Sequence, residues 1–131
     1  MTAQQFLRVF LTALGAVAVV AGLLGVATGV DGTLGDDFAG VNVDSEFRFF
    51  AAFWAAYGAV ALWVAPRAAV ETAVVRGLAL ALFAAGLART VSWIDVGRPD
   101  TLYLVLLALE LATPPLIVLC QARIAPAEAT D

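Results

Sequence analysis

The sequence predicts an all-α polytopic membrane protein, an antiparallel bundle of four transmembrane helices, and three observations carry that prediction. Four apolar stretches, each about 20 residues long, fill most of the 131-residue chain, and at about 1.5 Å per residue each covers a hydrocarbon core of roughly 30 Å. Hydrophobic residues make up 63% of the chain and charged residues 14%, against roughly 45 to 50% and about 25% in a soluble domain. The connections are short, the longest being the acidic stretch 31–46, so a single domain over residues 1–131 with no soluble module is the economical architecture.

The first helix is placed at 9–30. Its apolar run exceeds the roughly 7 to 15 residues of a signal sequence and is read as a retained span. The second is placed at 47–65, closed by Pro66 and Arg67; Asp44 or Ser45 can cap its free amides, and Glu46 suits the positive end of its dipole. The third runs over 74–94 and the fourth over 101–122, separated by the turn Gly97-Arg98-Pro99. Four spans place both termini on one side. Arg8, Arg67, Arg76 and Arg123 then fall on that side with Arg98 opposite, so the positive-inside rule makes both termini cytoplasmic.

Small residues recur three or four apart as Ala18, Ala21, Gly25 and Gly29 in helix one, as Ala51, Ala55 and Ala59 in helix two, and as Gly77, Ala81 and Ala85 in helix three. Such faces let helix backbones approach closely in lipid, where packing drives association. They serve either the bundle itself or the docking of another protein.

Composition removes several classes of function. All seven basic residues are arginine, and there is no lysine or histidine. With a net charge of −4 the chain has no basic face for nucleic acid. Histidine-based metal or acid/base chemistry is absent, and the one cysteine, Cys120, makes no CxxC site and reads as a small hydrophobe in helix four. The acids Asp31, Asp36, Asp37 and Asp44 lack the spacing of a calcium loop. No cofactor or metal is expected, and no enzyme.

The charged residues within or at the rims of the spans are the candidates for function, since ionisable groups at membrane depth are costly without a role or a partner. Arg89 continues the small-residue face of helix three, with Ser92 and Trp93 a turn on. Glu110 sits in helix four beyond a tight loop, so a pair between Arg89 and Glu110 is geometrically easy and relieves both charges. With Glu46 and Arg48 at the start of helix two, these residues predict one polar cluster: Glu46, Arg48, Arg89, Ser92 and Glu110. It is either an architectural ion-pair network or a ligand or proton site. Pro114 lacks the amide hydrogen that would bond the Glu110 carbonyl, and Pro115 does the same to Leu111, which predicts a kink. The kink is either a bend supported by Thr113 or the wall of a polar cavity.

Ser45-Glu46-Phe47-Arg48-Phe49, Arg89-Thr90-Val91-Ser92, Gly97-Arg98-Pro99, and Glu110 with Pro114 together resemble the bacterial four-helix membrane family catalogued as the domain of unknown function numbered 4345. The likeness covers nearly the whole chain. It implies the fold and the importance of the charged positions, and it brings no activity with it.

Two classes of function remain. One is an accessory subunit that docks onto a larger membrane complex, such as a lipid or envelope transporter, and steadies or tunes it. The other is a carrier or lipid-binding bundle, with a bound lipid or small amphiphile at a buried Arg/Glu site in its outer half. The partners expected are the bilayer and a larger membrane-protein complex.

Overall fold

The computed structural model describes residues 1–30 and 40–124, and four long α-helices account for nearly all of them: α1 (Ala3–Thr28), α2 (Val41–Val64), α3 (Thr72–Val96) and α4 (Thr101–Ile124). A short 3₁₀ turn, Ala65–Arg67, follows α2. All four helices are long and apolar enough to cross a membrane, as the composition predicts. Asp31, Asp36 and Asp37 of the acidic stretch, and the tail beyond residue 124, lie outside the described residues.

α1 and α2 each begin six residues before their expected starts and end one or two residues short, α3 extends two residues at both ends, and α4 two residues at its end. The cause at α1 is a capping box: the Gln5 amide donates to Thr2 Oγ1 at 3.2 Å and the Thr2 amide to Gln5 Oε1 at 2.9 Å, so the helix begins in a polar turn. At α2 the cap is Gly40, whose carbonyl accepts from the Val43 and Asp44 amides at 2.9 and 3.1 Å. The predicted caps are thereby displaced. Asp44 lies inside the first turn and Ser45 and Glu46 follow it, both exposed on the helix.

The chain divides into two compact units, Arg8–Pro66 and Met1–Leu7 with Arg67–Asp131. In the first, α1 and α2 run antiparallel at close range. The buried positions of α1 include Leu11, Gly15, Ala18, Gly22 and Gly25, and Gly29 just past its end continues them, an alternation of three and four residues that keeps one face toward the partner helix. A Cβ placed on Gly22 would lie 2.5 Å from the Ala55 amide nitrogen and 2.6 Å from the Ala51 carbonyl oxygen, and one on Gly58 would lie 2.6 Å from the Gly15 carbonyl oxygen. The helices meet backbone to backbone.

In the second unit α3 and α4 form an antiparallel pair across the short connection 97–100. The buried seam of α4 is Leu107, Glu110, Pro114, Ile117 and Gln121; that of α3 is Val75, Leu78, Ala79, Leu82 and Gly86. Both follow the three-four alternation, and on α3 the next position is Arg89.

The predicted small-residue faces are therefore right in part. Ala18, Gly25 and Gly29 lie on the contact face of α1, and Ala51 and Ala55 face it from α2, whereas Ala21 and Ala59 are exposed, with Gly22 and Gly58 in their places. On α3, Gly77 and Ala81 are exposed and Ala85 is half-buried; a Cβ on Gly77 would meet nothing within 4 Å. On α2 the reason is rotation: each step of four residues overshoots a full turn by about 40°, so the i+4 chain from Ala51 winds off the contact face at Ala59. On α3 the buried positions Leu78, Leu82 and Gly86 each stand one residue, about 100°, after the predicted ones.

Candidate functional site

The α3–α4 seam brings Arg89 and Glu110 together as the sequence predicts. Arg89 Nε donates to both carboxylate oxygens of Glu110, at 3.0 Å to Oε1 and 2.8 Å to Oε2. The neighbouring turn makes this possible: Gly86, one turn before Arg89, packs against Leu111 and Glu110 with no room for a side chain of its own. The Tyr103 ring, early in α4, lies 5.6 Å from Arg89 Cζ, within range of a cation–π contact. The pair is unequal in exposure. The Glu110 side chain is 8% exposed and that of Arg89 is 38% exposed, so the acid is enclosed while the guanidinium keeps an open edge.

Arg48 is held differently. Its Nε donates to Asp44 Oδ2 at 2.7 Å, one turn back on α2, and its Nη1 reaches the carbonyls of Val26 and Ala27 at the end of α1. Asp44 Oδ1 accepts from the Val30 amide at 3.0 Å. The two side chains thus form a clasp over the C-terminal end of α1, where carbonyls have no intrahelical donor and a cation is favoured by the dipole. Gly29, with φ of +70°, turns the chain into the clasp in the left-handed conformation common after a helix end. A side chain on Gly29 would run into Asp44 Oδ1 and the Arg48 guanidinium. Gly29→Ala is therefore expected to open the clasp, read as faster hydrogen exchange at the Val30 amide and at the last amides of α1. Unchanged exchange at Val30 would show that the clasp does not depend on this turn.

The residues of the predicted cluster fall into two compact units: the partners of Arg48 lie on α1 and α2, and those of Arg89 lie on α4. Glu46 and Ser92 are exposed and join neither pair. The extra turn at the start of α2 explains Glu46, since it sets Asp44, not Glu46, one turn before Arg48.

α4 continues as one helix through Pro114 and Pro115, with Pro114 buried in the seam and Pro115 exposed. Thr113 Oγ1 donates to the Leu109 carbonyl at 2.7 Å, which supplies a side-chain bond beside the carbonyls of Glu110 and Leu111 that the prolines cannot serve. Cys120 is half-buried and free.

A second polar contact at the other end of the seam has no counterpart in the sequence reading. Gln121, fully buried, donates through Nε2 to Thr72 Oγ1 at 2.6 Å and accepts from Arg76 Nε at 3.3 Å. The seam is thus pinned by polar groups at both ends. The signal was available: Gln121 continues the alternation 107, 110, 114, 117, and a polar residue on such a seam needs a partner.

Four candidate spans, with an ion pair set in the seam between two of them, define a multi-pass membrane protein. The chain matches the family described as Domain of unknown function (DUF4345) over residues 6–121 and belongs to it. No curated protein and no solved structure matches the chain.

Proposed function

We propose that this protein is a small, non-enzymatic accessory subunit of the bacterial inner membrane that docks onto a larger membrane complex, such as a lipid or envelope transporter, and stabilises or tunes it. The observation that carries the reading is the engagement of two acids, Asp44 and Glu110. Glu110 has both oxygens on Arg89, and Asp44 is divided between Arg48 and the Val30 amide. A carrier or a general acid/base needs a carboxylate that is free to exchange its proton or its ligand, and these two are committed to holding helix pairs together.

What the helices turn outward suits docking. Phe49, Phe50 and Phe53 are 54%, 64% and 63% exposed on α2 and contact one another, with ring centroids 5.4 and 4.8 Å apart for the pairs of Phe49 with Phe50 and with Phe53. A rigid aromatic ridge gives another helix a shape to pack on at small entropic cost. Arg8, Arg67, Arg76 and Arg123 favour cytoplasmic termini by the positive-inside rule.

Purification of the tagged protein at native expression level in a gentle detergent, with mass spectrometry of what co-elutes, tests the reading. A larger membrane protein in fixed stoichiometry is expected, and Phe50→Ala with Phe53→Ala is expected to reduce its recovery by about tenfold or more without changing the melting temperature of the purified chain. Recovery of the chain with no stoichiometric partner overturns the proposal.

A further inference from the structure

The open edge of Arg89 leads beyond the docking role. Nε is engaged by Glu110, and the two Nη groups, with their four N–H donors, have no hydrogen-bond partner among the described residues. Ser92 and Trp93 follow at i+3 and i+4 and share the face of α3 on which Arg89 stands. Both are exposed. The hydroxyls of Thr12, Thr28, Thr90 and Thr113 each donate back to the carbonyl four residues earlier, the usual fate of a helical hydroxyl. That of Ser92 does not, and the Trp93 indole N–H is likewise uncommitted.

A guanidinium edge, a hydroxyl and an indole N–H therefore present donors side by side with no acid among them. Asp95, the nearest acid on α3, lies about a third of a turn off this face. Arg98, exposed in the following connection, adds a second cation at the same end. Arg89 stands seven residues before Val96, the last residue of α3, about 10 Å along the axis. A long side chain at that depth reaches the headgroup layer, where Trp93 and Tyr103 suit the interfacial belt.

Donors without acceptors, one of them a forked guanidinium, select an oxyanion with several acceptor oxygens, and a phosphate is the oxyanion of the headgroup layer. We propose that Arg89, Ser92 and Trp93 form a binding site for the phosphate of an anionic phospholipid, with Glu110 and Tyr103 positioning the guanidinium from behind. Glu110 fixes the Nε edge, so that the Nη edge faces outward. The ligand is the lipid, held by headgroup and chains together, and free phosphate offers only the first of these.

Native mass spectrometry of the protein in detergent, titrated separately with phosphatidylglycerol, phosphatidylcholine and inorganic phosphate, tests the site. Wild type is expected to retain one phosphatidylglycerol at activation energies that strip phosphatidylcholine. Arg89→Gln with Glu110→Gln, which keeps a neutral hydrogen-bonded pair in the seam, is expected to lower that retention by about tenfold or more, the worth of a charge-assisted hydrogen bond. Ser92→Ala with Trp93→Phe removes two donors from exposed side chains that hold nothing else, and is expected to weaken retention by about threefold to tenfold with the melting temperature unchanged. This second variant keeps the test decisive if the first does not fold. Equal retention of the two lipids, retention unaffected by the Ser92 and Trp93 changes, or displacement of the lipid by millimolar inorganic phosphate would each overturn the proposal.

Discussion

Arg89→Leu is expected to lower the unfolding free energy by about 4 kcal/mol and Glu110→Ala by about 3 kcal/mol, both within the range for breaking a buried ion pair from one side. The difference follows from exposure. Without Arg89, the Glu110 carboxylate is left in a seam where its side chain is 8% exposed, with the hydrogen bonds of both its oxygens lost. Without Glu110, the Arg89 side chain, already 38% exposed, can swing its head toward water along its apolar stem. The double variant is expected to recover about 2 kcal/mol relative to the sum of the two single changes, because neither partner is then left alone. Unfolding in detergent micelles, followed by circular dichroism, measures all three. Additive losses would show that the two side chains do not act on each other, despite two hydrogen bonds of 3.0 and 2.8 Å.

That pair was legible in the sequence because two facts converge on it: an acid and a base stand in consecutive spans, and a short connection brings those spans side by side. Membrane depth does the rest, since neither charge is stable there alone. Arg48 was harder to read. Its partner Asp44 reads, with Ser45, as a candidate cap of α2 because hydropathy marks where the apolar run begins, whereas the helix is capped by Gly40 and begins at Val41. The same blindness hid the capping box of Thr2 and Gln5, which lies in a polar turn that no apolar run includes. Gln121 was missed for a related reason: near Arg123 and the end of a span, a glutamine reads as solvent-facing unless its seam register is followed. The helix count survived these errors because span length depends on a sum over 20 residues. Caps and partners depend on single positions, where a shift of one turn changes which side chains meet.

Glycine substitutions are expected to differ in sign between contact and exposed positions, and the contrast tests whether close backbone packing holds α1 to α2. Gly22→Ala sets a methyl group 2.5 Å from the Ala55 amide nitrogen and 2.6 Å from the Ala51 carbonyl oxygen. Neither backbone atom can move without moving α2, so the helices must separate along the contact, at a cost of about 3 kcal/mol. Gly86→Ala meets Leu111 Cδ2 at 2.8 Å, Leu111 Cγ at 3.0 Å and Glu110 Cβ at 3.1 Å; the leucine can change rotamer but Glu110 Cβ must shift with its backbone, and the expected loss is about 2 kcal/mol. Gly77→Ala meets nothing within 4 Å and removes a flexible residue from a helix interior, so it is expected to gain about 0.5 to 1 kcal/mol. The chemical change is identical at all three sites, so differences in melting temperature report the surroundings of each added methyl group. A loss at Gly77 as large as that at Gly22 would mean that the α3 face predicted from its small residues is a contact surface after all, covered by something outside this chain. A loss at Gly22 with a gain at Gly77 would establish that glycines in the helix contacts, and not the exposed glycine of α3, set how closely helices approach in this protein.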